Sequence, residues 1–387
     1  MFSQKAAVDA ASKMSGKADK LEEARNLIKQ ATSNPETAKD ARTYYVGGKL
    51  EFDLYDAART KQMLNPKDES IDPMAMATQL LNGYKWYAQA LPLDTVVDEK
   101  GKTKTKYSKD IVKAMNGHFN DIFNAGGTFY NAKKYYPEAY EAFMIYGNLP
   151  KSAHADKALQ AIPDSVINTS FFNAGLSAYA GNALPQAAAA FKAARLNNTD
   201  NSQNYIYEIA CWQFMTQKDS TLQDKAKKEI EEIAMAGYKK FGTKQMIFLN
   251  NLVNSMVMEN RLADALALVN EQIATDSSNP ALYGLLGYIY DHMEKDAESV
   301  ESYKKAASFQ NTDFETLKNA ARKLLKTGTE KLNALDARTP ANLNELKTTY
   351  FIPAKEILDR AKSMKESDSD VDYLLENVNY ALETYFK

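Results

Sequence analysis

The sequence predicts an all-α fold built from stacked antiparallel helix pairs. Glycine and proline together supply only 27 of the 387 residues, about 7 % against about 12 % in average proteins. Few residues therefore interrupt helices. One spacing of apolar and small residues also recurs at several places along the chain. An array of repeats accounts for this length better than two or three separate domains.

The recurring unit is clearest in the segment that starts at Tyr283. Residues at +3, +4, +7, +16, +20 and +23 from this anchor are Leu286, Gly287, Tyr290, Ser299, Tyr303 and Ala306. The same spacing starts at Phe123 and Phe171, and a weaker copy starts at Leu249. Such steps place the residues on one face of each of two successive helices. Small residues at +4 and +16 let the helices approach, and large residues at +7 and +20 fill the space beside them.

With this spacing the chain resembles the tetratricopeptide-repeat family. The clearest repeats cover residues 120–150, 168–200, 246–279 and 280–312. Looser pairs cover 5–91, and further helices cover 313–387. The resemblance implies a single right-handed solenoid over 1–387, with about nine helix pairs. It also implies a non-enzymatic scaffold or adaptor that binds a peptide or protein on the concave groove of the first helices.

The remaining helices follow from apolar periodicity and chain breakers. At the N-terminus we expect helices over Lys5–Met14 and Asp19–Thr32, then a pair over Glu36–Leu54 and Pro73–Leu91. Residues 203–215 and 222–241 form another pair, and 152–162 add a short helix. The last helix, 371–386, caps the array, with Ser369 or Asp370 as its N-cap.

One segment, near residues 94–106, breaks the helical pattern. β-formers alternate around Asp98–Gly101, which predicts a small inserted β-hairpin with Gly101 at positive φ. Lysines at 100, 102, 104, 106 and 109 lie in and after it. They are either a basic finger for an acidic partner or the solvated residues of a loop.

Motifs for enzymatic or metal chemistry are missing from the sequence. The three histidines are far apart, and Cys211 is the only cysteine. Gly47-Gly48 and Gly126-Gly127 lie within helices and read as helix-contact glycines, because no phosphate-binding motif surrounds them. Asp368, Asp370 and Asp372 lack the glycine and glutamate of a calcium loop. We therefore predict no catalytic residue, metal site or cofactor.

The candidate site is the groove formed by the first helices. Residues that face it are counted at +1, +5 and +8 from each anchor. Among them, the candidate partner-binding residues are Asn124, Phe172, Tyr179, Asn250, Asn254, Tyr288 and Asp291, with Tyr207 at an equivalent place. Asparagine can pair with both peptide N–H and C=O groups, and aromatic rings add contact area. Lysine and arginine are missing from these positions, so a clamp for a C-terminal carboxylate is not expected.

A second hypothesis is a soluble, envelope-associated binding module for a small ligand or glycan, which the aromatic groove would also suit. An unrecognised hydrolase is a third and weaker hypothesis. The net charge of −2 gives no pull toward nucleic acid, and no stretch is apolar enough for a membrane span. Met1–Gln4 is too short for a signal peptide. We slightly favour an extracytoplasmic or periplasmic location after removal of such a segment, over a cytoplasmic one. The sequence indicates neither the partner nor the oligomeric state.

Overall fold

A computed structural model describes residues 4–97, 99, 101 and 103–386. In these residues the chain is predominantly α-helical, as the sequence predicts, and its helices form two compact units. Unit 1 extends to Ala226 and unit 2 begins at Lys227. The boundary lies inside one helix, Gln223–Phe241. In both units, helices that follow each other along the chain pack together.

The α-helices of unit 1 have the following bounds: α1 Gln4–Lys13, α2 Leu21–Thr32, α3 Ala41–Leu64, α4 Pro73–Leu93, α5 Ser108–Gly117, α6 Phe119–Asn131, α7 Tyr136–Asn148, α8 Lys157–Gln160, α9 Asp164–Ala180, α10 Leu184–Leu196 and α11 Ser202–Lys218. Short 3₁₀ turns are formed by Ala18–Lys20, Leu149–Lys151 and Ser220–Leu222. The short helix predicted within 152–162 is α8.

The helices that follow have these bounds: α12 Gln223–Phe241, α13 Met246–Met258, α14 Leu262–Thr275, α15 Pro280–His292, α16 Asp296–Ala307, α17 Phe314–Asn333, α18 Pro340–Leu346, α19 Ile352–Met364 and α20 Ser369–Tyr385. A 3₁₀ turn, Gly242–Gln245, precedes α13, and a π-helical turn, Lys347–Phe351, connects α18 to α19.

Each of the four clearest repeats is a helix pair: α6–α7, α9–α10, α13–α14 and α15–α16. In three of them a ring of the second helix lies directly on a glycine of the first: Phe143 on Gly126, Phe191 on Gly175 and Tyr303 on Gly287. A Cβ atom built on Gly287 would lie 2.7 Å from the Tyr303 ring. The small-to-large contact expected from the spacing is therefore present.

The turn between the two helices has a common backbone feature. Lys133, Asn182, Asn260 and Glu294 all have left-handed φ values, between +56° and +58°. Each one lies two residues beyond its first helix, and none of them is glycine. This position is not evident from the sequence, because only asparagine among these residues is typical of left-handed backbone.

The repeat at 120–150 differs from the prediction by one residue in its first helix. A Cβ atom on Gly127 would meet nothing within 4 Å, whereas one on Gly126 would lie 2.9 Å from Phe143. Ile122 is fully buried, and Phe123 is half-buried. The anchor is therefore Ile122. Gly126 and the buried Gly47 and Gly48 are helix-contact glycines, but Gly127 is not.

The β-hairpin expected near 94–106 needs correction. Among the described residues of this segment the strands are β1 Val96–Val97 and β2 Thr103–Lys104, which pair antiparallel with Val96 opposite Lys104. Gly101 has a φ of +71°, whereas Asp98, Lys100 and Lys102 lie outside the described residues. Two residues per strand are too few to make a two-stranded ribbon stable alone. The segment is best described as a surface loop in an all-α chain.

Asp94 holds the ends of this loop together. Its buried carboxylate accepts hydrogen bonds from the backbone N–H groups of Lys106, Tyr107 and Ser108 and from Ser108 Oγ, the last at 2.7 Å. Burial opposes ionisation, but these hydrogen bonds outweigh it and lower the pKa of Asp94 below its ordinary value. The loop is therefore closed by a side chain as well as by the strands.

Several helix starts differ from the prediction, and those of α3 and α20 are explained by their capping residues. α3 begins at Ala41, because Asp40 caps it by accepting from Arg42 N at 2.9 Å, and it continues ten residues beyond the predicted end at Leu54. α20 is capped by Asp368, whose side chain accepts from Val371 N at 3.2 Å, so neither Ser369 nor Asp370 is the N-cap.

Candidate functional site

The first helices of three successive pairs in unit 2 line one cavity of about 700 Å³. They are α13, α15 and α17. Among the residues that line it are three of the predicted site residues, Asn250, Tyr288 and Asp291. Residues counted from Leu249 and from Tyr283, which belong to two different repeats, therefore line the same cavity.

Tyr288 is the centre of this group. Its hydroxyl donates to Asn254 Oδ1 at 3.0 Å, which joins α15 to α13. Burial raises the pKa of Tyr288 above its ordinary value, so the phenol remains a donor over the physiological pH range. Asn254 keeps its amide nitrogen for another acceptor. Asn250, one turn earlier on the same helix, is exposed, and within the described residues its side chain makes no hydrogen bond.

Asp291 is held by an ion pair that the sequence analysis missed. Lys323, on α17, has a side chain only 3 % exposed, and its Nζ contacts both Asp291 and Asp296, the latter at 2.6 Å. Burial alone would lower the pKa of Lys323, but the two carboxylates outweigh it and raise that pKa. The hydrogen bond from Lys323 lowers the pKa of Asp296. Asp291 is therefore positioned, and its charge is compensated within the chain.

Two further cations, Arg322 and Lys326, also line this cavity. Both are exposed and lie one turn apart on α17. They line a neighbouring cavity of about 580 Å³ as well, which continues along α17 to Tyr380 and Tyr385 of α20. Leu317 follows Tyr283 by 34 residues, so the same counting rule, extended to α17, would have placed Arg322 at +5. Lysine and arginine are therefore missing from the groove positions counted in the four predicted repeats, between residues 124 and 291, but not from the equivalent helix α17.

The predicted residues of unit 1 form an aromatic cluster. The Tyr207 ring lies 6.1 Å from Phe172, 5.8 Å from Tyr179 and 5.4 Å from Phe191, measured between ring centroids. All three predicted residues are half-buried, whereas Phe214 beside Tyr179 is 41 % exposed. In unit 1 the same helix positions serve mostly for packing.

Asn124 is not grouped with the other predicted residues. It is exposed on α6, and it was counted from Phe123 whereas the buried anchor is Ile122. One residue corresponds to about 100° around a helix. Asn124 thus lies at a different angle from Phe172 and Asn250, relative to the glycine contact of each pair.

The cysteine and two of the histidines that the sequence offers as candidates for chemistry are packed against neighbouring side chains. Cys211 is buried, and burial raises the pKa of its thiol to about 12. The His118 ring stacks on Phe52 at 4.8 Å, and its Nδ1 lies 3.1 Å from the carboxylate of Asp121. His292 is exposed and packs edge-on against Tyr288. In the described ranges no cluster of three histidine, cysteine or acidic side chains could hold a metal.

No helix among the described residues is both long and apolar enough to cross a membrane. No protein-family model matches the sequence, and no curated protein matches it.

Several solved structures are similar to the chain. A TPR repeats protein from Bacteroides fragilis is 16 % identical over 68 % of this chain and 98 % of that one, with a TM-score of 0.32. The C-terminal part of a TPR repeat-containing protein from Cytophaga hutchinsonii is 12 % identical over 68 % and 96 %, with a TM-score of 0.36. The P58(IPK) TPR domain is 13 % identical over 98 % of both chains, with a TM-score of 0.30. The chain is thus similar to these tetratricopeptide-repeat structures, and its helix pairs have the glycine contacts that the repeat spacing predicts.

Proposed function

We propose that the chain is a non-enzymatic scaffold that binds an extended segment of a protein partner in the cavity of unit 2. The observation that carries the proposal is the convergence of Asn250, Tyr288 and Asp291, from two helices, on one cavity of about 700 Å³. Binding sites are often found in cavities between helices, and most of the residues that line this one are polar or charged.

The polar groups in this cavity suit a peptide backbone. Asn250 offers both a donor and an acceptor. Asn254 does not line the cavity itself, but it lies one turn further along α13, and its amide nitrogen can donate while its oxygen accepts from Tyr288. An extended peptide carries unpaired N–H and C=O groups along its whole length, and these need such partners when they leave water. The ring of Tyr288 supplies the apolar surface beside them.

Binding is tested with the full chain and an array of extended peptides, followed by titration of the peptides that bind. Asn250→Ala/Asn254→Ala leaves peptide groups unpaired at a cost of about 1–3 kcal/mol, which is a loss of roughly 5- to 150-fold in affinity. Helicity and melting temperature should stay at the wild-type values, because both side chains are exposed.

The matched control is Asn251→Ala. Asn251 is on the same helix, but its amide donates to Ile247 O at 2.8 Å and it does not line the cavity. This variant should bind like the wild type. If Asn250→Ala/Asn254→Ala and Asn251→Ala bind the peptide with equal affinity, the cavity of unit 2 is not the peptide-binding site.

A further inference from the structure

Unit 1 contains a cavity whose surroundings differ from those of the proposed peptide-binding cavity of unit 2. Its volume is about 380 Å³, and it lies between the first turns of α9 and α11 and the loop 197–201. Nine of its ten lining residues have polar side chains, and the tenth is Phe172. The volume is at the lower end of the range for small-molecule sites.

Asn204, at the start of α11, lines this cavity with an unsatisfied group. The residue is fully buried, and its Oδ1 accepts no hydrogen bond from the part of the chain that the structure describes. Its Nδ2 is shared between Thr199 Oγ1 and Asn201 O, at 3.3 Å each. Buried side-chain acceptors are nearly always paired, with protein or with ordered water. Asn204 therefore lines this cavity and has an acceptor without a partner among the described residues.

The charges around the cavity disfavour an anion. Asp164 and Asp200 both line it, and hydrogen bonds from Lys151 and Asn197 lower the pKa of Asp164 and keep it ionised. Lys151 itself does not line the cavity. A metal ion has no cluster of three acidic, histidine or cysteine ligands here, among the residues that the structure describes.

Hydroxyl groups fit this lining best. Each hydroxyl both donates and accepts, so one can satisfy Asn204 Oδ1 while another accepts from an asparagine amide. Phe172 offers an apolar face, and its half-buried ring is held 5.9 Å from Phe191 and 6.1 Å from Tyr207. A ring with C–H groups on one face and hydroxyls at its edge matches both features. We propose that this cavity binds a neutral, hydroxyl-rich ligand of the size of one sugar residue.

The test uses the full chain and the methyl glycosides of glucose, mannose, galactose and N-acetylglucosamine, by saturation-transfer NMR and calorimetry. At least one glycoside should bind with a Kd of about 1 mM, as single-residue ligands with few contacts do. Asn204→Leu, similar in size but without the amide, should weaken this binding at least tenfold. Asn251→Leu in unit 2 is the matched control and should leave it unchanged.

Phe172→Leu provides a second variant in case Asn204→Leu does not fold, and it should also weaken binding at least tenfold. Absence of saturation transfer from all four glycosides would overturn the proposal. So would a folded Asn204→Leu with a raised melting temperature and unchanged glycoside affinity, since the glycoside would then bind outside this cavity. Peptide binding in unit 2 is measured separately and does not depend on either result.

Discussion

The repeats α9–α10 in unit 1 and α15–α16 in unit 2 share a helix contact and differ in the residues beside it. Both place an aromatic ring of the second helix on a glycine of the first, Phe191 on Gly175 and Tyr303 on Gly287. At +8 from the anchor, however, unit 1 has Tyr179 in an aromatic cluster, whereas unit 2 has Asp291 at a cavity. The contact between a glycine and an aromatic ring therefore holds the two helices of each pair together. The residues at the groove positions are not part of that contact, so they can serve packing in one repeat and binding in another.

The shared contact should give the largest effect. Gly287→Leu would place side-chain atoms inside the Tyr303 ring, since a Cβ atom alone would lie 2.7 Å from it. We expect a loss of about 3 kcal/mol in the free energy of unfolding, measured by urea denaturation. Gly127→Leu is the control, because that position is open, and it should be close to neutral. An unchanged stability of Gly287→Leu would contradict the pair contact.

The differing positions should separate stability from binding. Phe172 and Asn250 are both at +1 from their anchors. Phe172→Ala removes a half-buried ring that contacts Phe191 and Tyr207, which should cost about 2 kcal/mol of stability. Asn250→Ala removes an exposed amide and should change stability by less than about 0.5 kcal/mol. Similar losses in the two variants would mean that both units use this position in the same way.

The ion pair of unit 2 should make stability depend on pH. Lys323 lowers the pKa of Asp296, so this pair stabilises the fold above the ordinary aspartate pKa, about 3.9, and the contribution is lost as the pH falls through the lower folded value. Asp291, Lys326 and Lys331 also face this pair. Lys323→Met should lower stability by about 1–2 kcal/mol at pH 7, measured by urea denaturation.

Between pH 4 and pH 2, the free energy of unfolding of Lys323→Met should fall less than that of the wild type. Equal acid sensitivity of the two proteins would show that other carboxylates dominate. Arg322→Met is a suitable control, because the Arg322 ion pair to Asp370 is exposed and 3.3 Å long, and such pairs contribute little.

The sequence predicted the helix pairs better than the groove. The helix pairs could be predicted from the apolar periodicity and the glycine positions, because a close contact between two helices needs a small residue opposite a large one. The groove depends on the register of each helix, and the one-residue error between Phe123 and Ile122 was enough to misplace Asn124. Arg322 and Lys323 were missed for a different reason: α17 has the period but no aromatic anchor or repeat signature of its own. Asn204 could not be predicted, since an unpaired acceptor is visible only when its neighbours are known.

The turn inside each pair should give the smallest effect. Glu294, two residues after α15, has a φ of +58°, where a side chain with a Cβ is strained. Glu294→Gly relieves that strain but increases the entropy of the unfolded chain, so the net gain should be about 0.5 kcal/mol. Asn260 occupies the same position after α13, and Asn260→Gly should be close to neutral because asparagine tolerates this conformation. Melting temperatures measured side by side would resolve the two variants. A gain in Asn260→Gly as large as that in Glu294→Gly would mean that the turn is strained by its surroundings rather than by its side chain.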